Sequence, residues 1–179
     1  MSSTSRHLAA AATIVALTAV PVTASAATHG PLVRTSGALA DLATAAAGPF
    51  DGASAAFQLV ASAKGSHAVL RVSGIGADAD GYTYGAHLHV GPCVAGSPAS
   101  AGGHYNTDVI AGILPPDNEI SEDTEVWLDI TVDDGAATAT ASVPFVPLPG
   151  TRSVVIHALE TDHHTGTAGG RLACLPVVW

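Results

Sequence analysis

The chain has 179 residues, the usual size of one domain. Apolar residues make up 47% of it and charged residues only 12%, and fifteen Asp and Glu against six Lys and Arg give a net charge of −9. This balance excludes a nucleic-acid binder, which needs clustered cations to displace counterions from phosphates. It also disfavours attachment to an anionic membrane surface, and the apolar content excludes a disordered chain.

The first 26 residues have the pattern of an export signal. Arg6 supplies a positive charge, residues 8–20 form an apolar run, and Ala24-Ser25-Ala26 is a small-residue cleavage site. The run is too short to span a bilayer comfortably, so no membrane span is expected after cleavage; the alternative is an N-terminal anchor that stays attached. We predict a signal peptide over 1–26, a flexible segment or first strand over 27–47 and one domain over 48–179. The protein would be secreted or held in the cell envelope.

Short alternating apolar segments, separated by turn residues, follow along the chain. They predict strands over 31–39, 56–62, 67–75, 82–90, 126–132, 137–145, 153–159 and 172–178. Asp133-Asp134-Gly135 is typical of a hairpin turn. Seven or eight short strands without a sustained helical period predict an all-β antiparallel sandwich or barrel. Two long strand-free stretches, Pro92–Thr124 and Glu160–Gly170, are the expected functional loops.

Cys93 and Cys174 are the only two cysteines. In an oxidising compartment an even number favours one disulfide, and the alternative is two separate buried thiols. The bridge would close a loop of about 80 residues and stabilise the fold by about 4 kcal/mol in the chain-entropy description. One cysteine pair is too few for a zinc site built from several thiolates.

Two histidines lie two residues apart on the predicted strand over 82–90. Alternation places His87 and His89 on one face together with Gly85. The opposite, core-facing side would carry Tyr82, Tyr84, Ala86, Leu88 and Val90. Side chains at positions i and i+2 of a strand start about 7 Å apart, close enough for two imidazoles to chelate one metal ion. The alternative is two polar residues on a solvated face.

Two further histidines stand in positions that suggest the same chemistry. His104 lies in Gly102-Gly-His-Tyr-Asn106, soon after the first cysteine, and His157 lies on the predicted strand over 153–159. An imidazole among apolar neighbours is costly unless something binds it, although a hydrogen-bonded core histidine is an equal alternative for His157 alone. The histidines interpreted as loop or surface residues are His29, His67, His163 and His164.

Four blocks of the sequence resemble the copper/zinc superoxide dismutase family, in the family's order and with similar spacing. They are Gly85-Ala-His-Leu-His-Val-Gly91, Gly103-His-Tyr-Asn106, Val154-Val-Ile-His157 and Thr165-Gly-Thr-Ala-Gly-Gly-Arg-Leu-Ala-Cys174. The resemblance runs from about residue 48 to the end, and its last block is the most specific. It implies an eight-stranded Greek-key barrel, in agreement with the strand pattern.

The resemblance implies a role for each matching residue. The expected copper ligands are His87, His89, His104 and His157. His104 matches the imidazole that bridges copper to zinc, Arg171 matches the arginine that guides superoxide to the metal, and Cys93 and Cys174 match the family's disulfide. The implied activity is dismutation of the superoxide anion into dioxygen and hydrogen peroxide. In it His104 leaves the metal, takes up a proton and passes it to the second superoxide.

The sequence departs from the family where zinc would bind. After His104 the family supplies two more histidines and an aspartate, whereas residues 105–127 contain no histidine and offer carboxylates, a poor donor set for zinc. Zinc is therefore not expected, and the chain resembles secreted bacterial copper-only members, in which a carboxylate orients the bridging imidazole. Glu119, Glu122 and Glu125 are the candidates for this task, and the sequence does not choose among them.

Two other functions are compatible with these residues. A secreted copper-buffering protein would use the same four histidines without turnover, although it would not need an anion guide at Arg171. A structural Greek-key domain would keep the fold and the disulfide and lose the metal. The apolar C-terminal segment Leu175–Trp179 could contribute to a contact between two copies of the chain.

Overall fold

The computed structural model describes residues 32–43 and 47–179; the predicted signal peptide and His29 lie outside them. The strands are β1 (Leu32–Ala38), β2 (Ala40–Asp41), β3 (Ser54–Ser62), β4 (Gly65–Ser73), β5 (Thr83–Tyr84), β6 (Ala86–His89), β7 (Ile130–Thr131), β8 (Ala136–Val143), β9 (Thr151–His157) and β10 (Arg171–Val178). The helical elements of this part of the chain are one turn of α-helix, α1 (Thr107–Ile110), and two 3-10 turns, Ala77–Ala79 and Pro98–Ala101. Within the described ranges, no helix has the length and apolar character that crossing a bilayer requires.

The ten segments make eight strands, because two strands are each interrupted by a single residue. Leu39 separates β1 from β2, and Gly85 separates β5 from β6. One antiparallel sheet has the order β1-β3-β4-β8, a second has the order β2-β10-β9-β6, and β5 pairs with β7. Each interrupted strand therefore joins two sheets. The chain crosses from β4 to β5 and from β8 to β9 without pairing those strands, which is the Greek-key arrangement and confirms the predicted fold class.

The core lies between the two larger sheets and is built from alternating inward side chains. On β3 and on most of β4, buried residues alternate with more exposed ones, as the two-residue period of a strand requires. Phe57 and Leu70 are at most 1% exposed, and Leu88, Ile156 and Leu175 of the second sheet pack in the same cluster. The side chains that point away from this core on β6 are therefore available for a site on the other face.

The predicted hairpin at residues 133–135 is confirmed. Asp134 has a φ of 48° and Gly135 a φ of 71°, and two consecutive residues with positive φ are what a tight two-residue hairpin requires. Asp133 and Ala136 exchange backbone hydrogen bonds of 2.9 and 3.0 Å across the turn. The turn leads from the short β7 directly into β8.

Two predicted strands are less regular than their sequences suggest. Of the segment 126–132, only Ile130–Thr131 is a strand, because the Asp129 carboxylate accepts the Ala86 N–H that a backbone carbonyl would otherwise take. The prediction that Tyr82 faces the core is wrong: its side chain is 64% exposed. Tyr82 precedes β5 and follows Gly81, whose φ of 78° belongs to a turn, so the strand alternation does not extend to it.

A disulfide joins Cys93 to Cys174, which lie 81 residues apart, as predicted. It ties the first long loop to β10, and Cys174 is fully buried.

In the apolar C-terminal segment, Leu175 and Val177 belong to the core whereas Val178 is exposed. A contact between two copies through this segment stays a prediction.

Candidate metal centre

Backbone pairing on both sides of β6 brings four histidines together. His87 and His89 belong to β6, and β9, which pairs with one edge of β6, ends at His157. On the other edge, His104 forms an isolated antiparallel bridge with His89. The first long loop therefore behaves as an extra strand segment at the point where it delivers His104.

The four histidines form one compact and largely buried cluster. One nitrogen of each ring can be chosen so that all four lie within 4.8 Å of one another. His87 and His89 are fully buried, His157 is 4% exposed, and the His104 side chain is 18% exposed. In the described part of the chain this is the one group of three or more His, Cys, Asp or Glu residues close enough to share an ion.

The tautomers of His89 and His157 follow from their backbone partners. Nδ1–H of His89 donates to the Gly102 carbonyl at 3.2 Å, and Nδ1–H of His157 donates to the Gly169 carbonyl at 3.3 Å. Since a carbonyl can only accept, both Nε2 atoms carry a lone pair, and they lie 3.2 Å apart. Burial lowers the pKa of His157 to about 4 and lowers that of His89 as well. A proton shared between the two Nε2 atoms is therefore disfavoured near neutral pH. A metal ion would instead bind both lone pairs and stabilise the close approach of the two rings.

His104 is held by a carboxylate. Its Nδ1–H donates to Oε2 of Glu125 at 2.7 Å. The same oxygen accepts Nε1–H of Trp127 at 2.8 Å, and Oε1 accepts the Asn106 side-chain amide at 3.0 Å. Burial by itself would raise the pKa of Glu125, but these hydrogen bonds hold it below its usual value and keep the carboxylate charged.

Of the three glutamates that the sequence left open, the structure places Glu125 against His104. Glu125 is 4% exposed, and Asn106 and Glu125 form a backbone bridge that aligns their side chains. Glu119 and Glu122 are exposed, and the Glu119 carboxylate accepts a hydrogen bond from Ser121.

His163 and His164 lie in a turn of the second long loop and His67 is exposed on β4, as predicted.

His87 differs from the other three histidines. Its Nε2 lies 2.8 Å from the Thr161 hydroxyl, and its Nδ1 is buried without a hydrogen-bond partner. Burial, reinforced by His104 and His157, lowers the pKa of His87 far below its usual value. A buried neutral nitrogen without a partner is costly unless it binds something. Imidazole nitrogens suit a transition-metal ion such as copper, so the residues present fit a metal.

Thr161 and its neighbour Asp129 were missed by the reasoning from sequence. The one available signal was a carboxylate inside the apolar run Val126–Val132, where a charge needs partners. Asp129 is only partly exposed, and it accepts hydrogen bonds from both the hydroxyl and the N–H of Thr161. Threonine on a loop carries no comparable signal.

A cleft of about 560 Å³ opens beside the cluster. It is lined by His104, His157, Arg171 and residues 165–169 of the second long loop. The Arg171 guanidinium donates to the Pro98 and Gly102 carbonyls, each at 2.5 Å, so a fixed positive charge lies in the cleft wall. An anion that enters the cleft would therefore meet a positive charge.

Two glycines let the loops reach the histidines. A Cβ at Gly85 would lie 2.6 Å from the Ala168 Cβ, and one at Gly91 would lie 2.3 Å from the Ser100 carbonyl oxygen. Both distances are too short for any side chain. The absence of a side chain at these two positions therefore makes room for the other segments.

The low pKa values of the buried histidines predict an acid-sensitive metal-free protein. His157 stays neutral in the folded state down to about pH 4, and His87 and His89 down to lower pH, whereas an unfolded histidine binds a proton below about pH 6.5. The unfolded chain thus carries more protons in this window, and the free energy of unfolding falls as pH falls, by up to about 1.4 kcal/mol per pH unit for each histidine. Urea unfolding at pH 7, 6 and 5 measures the slope.

A matched pair of variants assigns that slope to the cluster. His157→Gln is expected to reduce it, and His67→Gln, at an exposed position on β4, is expected to leave it unchanged. Equal unfolding free energies at pH 7 and pH 5 in the metal-free protein would contradict the prediction.

The arrangement agrees with what comparison with known proteins finds. The family model for copper/zinc superoxide dismutase matches residues 53–176, a range that contains all four clustered histidines, the disulfide and Arg171. A search of curated proteins found no match. Since the match covers more than half of the sequence, the chain belongs to the copper/zinc superoxide dismutase family.

Proposed function

We propose that this chain is an exported, copper-dependent superoxide dismutase that works without zinc. It would convert two superoxide anions and two protons into dioxygen and hydrogen peroxide. The observation that carries the proposal is that every histidine of the cluster has one ring nitrogen committed to a partner outside it: Thr161, Gly102, Glu125 and Gly169. Each remaining nitrogen is left with a lone pair for a metal.

Nδ1 of His87 and the Nε2 atoms of His89, His104 and His157 would hold the ion. When bound, copper would supply one-electron exchange with superoxide, because imidazole nitrogen suits both of its oxidation states. The neutral rings of His87, His89 and His157 leave these nitrogens free to bind near neutral pH, where protons would otherwise compete.

His104 has the features of the residue that delivers a proton. It is the most exposed of the four ligands and lines the cleft, whereas His87 and His89 are fully buried. With Nδ1–H fixed to charged Glu125, a proton taken up at Nε2 creates an imidazolium 2.7 Å from a carboxylate, which stabilises the positive charge. The proton would pass from Nε2 to the second superoxide as it is reduced, and His104 would return to its neutral form.

Glu125 would replace zinc as the group that orients His104. Residues 105–127 contain no histidine that could complete a zinc site. Glu125 instead holds Nδ1–H in place, and its own orientation is fixed by Trp127 and Asn106. A carboxylate with three donors keeps His104 aligned whether or not Nε2 is bound.

Arg171 would attract and orient the anionic substrate. Its guanidinium is anchored by two carbonyls, so little side-chain freedom is lost when an anion binds. The chain carries a net charge of −9, and a single local cation acts against that field. Long-range steering should therefore be weak and short-range capture important.

Export is supported by two features. The first 26 residues have the pattern of a cleavable leader, and the Cys93–Cys174 disulfide is typical of oxidising compartments. Superoxide generated outside the cytoplasm would be the substrate in that location.

The deciding measurement is the metal content of copper- and zinc-loaded protein together with a dismutation assay on the same sample. We expect one copper per chain, little zinc and high activity. His157→Gln should lose copper at a chelator concentration that the wild type withstands, and His67→Gln should not. Bound copper with no more activity than the metal-free protein shows would favour a copper-buffering protein. Absence of bound metal would contradict both metal-dependent functions and favour a structural Greek-key domain.

Replacing Glu125 tests the zinc-free arrangement. Glu125→Gln places an amide group opposite three donors, so at least one hydrogen bond is lost and His104 is held less firmly. We expect copper affinity or activity to fall by about 10- to 100-fold, measured by chelator competition and turnover. Glu122→Gln, at an exposed position on the same loop, is the control. Equal effects of the two substitutions would refute the role of Glu125.

Replacing Arg171 separates substrate capture from metal binding. Arg171→Ala removes the cation that lines the cleft, so kcat/KM should fall by about tenfold or more while copper content stays at one per chain. Arg71→Ala, an exposed arginine of β4, removes the same charge elsewhere and should have little effect. An unchanged rate in Arg171→Ala would remove Arg171 from the site.

A further inference from the structure

We infer that Thr161 and Asp129 are positioning residues that fix the tautomer of His87 and thereby present its Nδ1 to the metal. The inference rests on the proposed copper site and adds to it a pair of residues from outside the histidine cluster. Thr161 lies in the second long loop and is 3% exposed, and Asp129 immediately precedes β7. They are 32 residues apart in sequence.

The direction of each hydrogen bond follows from the carboxylate. Oδ1 of Asp129 lies 2.7 Å from the Thr161 hydroxyl, and Oδ2 accepts the Thr161 N–H at 2.9 Å. Because a carboxylate accepts and does not donate, the hydroxyl gives its single proton to Asp129. The Thr161 oxygen can then only accept from Nε2 of His87, 2.8 Å away. His87 is therefore the Nε2–H tautomer.

This tautomer is the opposite of the one that the other three histidines require. His89, His104 and His157 each donate from Nδ1, so Nε2 is the nitrogen that each of them has left for a metal. His87 donates from Nε2, so the lone pair falls on Nδ1, the buried nitrogen that has no partner. A neutral imidazole free to choose would populate both forms, and only the Nε2–H form leaves Nδ1 able to bind a metal.

The hydroxyl is needed because the carboxylate does not reach His87 directly. Oδ1 of Asp129 is 3.9 Å from Nε2 of His87, beyond hydrogen-bond distance. The fold makes room for the relay: a Cβ at Gly85 would lie 2.8 Å from the Thr161 hydroxyl. Oδ1 of Asp129 also accepts the Ala86 N–H at 3.3 Å, which fixes the carboxylate to the first residue of β6.

Thr161→Val tests the assignment, because valine has nearly the same shape and lacks the hydroxyl. Imidazole nitrogen-15 NMR of the metal-free protein at neutral pH distinguishes the two tautomers directly. We expect His87 of the wild type to be the Nε2–H form alone and His87 of Thr161→Val to be a mixture, with copper affinity reduced by about 10- to 100-fold in chelator competition.

Two companion variants separate positioning from a general structural effect. Thr161→Ser keeps the hydroxyl and should restore the single tautomer and the copper affinity. Thr131→Val removes a hydroxyl that forms a hydrogen bond with Thr83 on the neighbouring strand and should change neither. A single Nε2–H tautomer and wild-type copper affinity in Thr161→Val would overturn the inference, as would failure of Thr161→Ser to restore them.

The same spectra distinguish failure of the Thr161 assignment from failure of the proposed function. The tautomer is observed without metal, so a wild-type protein with the Nε2–H form that binds no copper would contradict the proposed function and support the assignment of Thr161. Copper binding of wild-type strength in Thr161→Val, with a mixed tautomer, would contradict the link between tautomer and metal and leave the proposed function intact.

Discussion

Four imidazole rings direct lone pairs into a space in which the donor atoms lie within 4.8 Å of one another. These lone pairs repel one another unless a cation lies among them. The arrangement therefore persists only if each ring is held by a hydrogen bond on its other nitrogen. The barrel itself supplies none of the four restraints. They come from two backbone carbonyls, Gly102 and Gly169, and two side chains, Glu125 and Thr161. The loops thus restrain all four rings, three of which are carried by strands and one, His104, by the first long loop itself.

The restraints also account for the unusual features of the strands around the site. Gly85 interrupts one strand where the second loop crosses it, and Asp129 replaces one ladder hydrogen bond of another by accepting the Ala86 N–H. The second change removes one ladder hydrogen bond, worth about 1 kcal/mol, whereas the N–H and the carbonyl of Gly85 are both hydrogen-bonded, to Leu159 and His157. In return the loops approach β6 more closely than an uninterrupted sheet would permit.

The features of the site that could be predicted are those that depend on residues close together in the sequence. His87 and His89 share a face because strand alternation is a property of neighbouring residues, and the sequence pattern was sufficient to predict it. Glu125 could not be chosen over Glu119 and Glu122 from the sequence. The choice depends on the burial of Glu125 and on its backbone bridge to Asn106, which only the folded chain shows. Asp129 and Thr161 meet only because the Greek-key crossovers bring two distant segments together. Family resemblance supplied no role for this pair.

The Gly102 carbonyl accepts both the Nδ1–H of His89 and the guanidinium of Arg171. One oxygen atom thus sets the orientation of a cluster histidine and of the cation in the cleft wall. Gly102 has a φ of 68°, and a Cβ there would lie 2.7 Å from a methyl group of Val90, so this peptide tolerates little else than glycine. A change at this position therefore alters the restraint on His89 and the anchoring of Arg171 together. A change that affects one without the other must arise elsewhere, at the restraints of His87, His104 or His157 or at Arg171 and its second anchor, the Pro98 carbonyl.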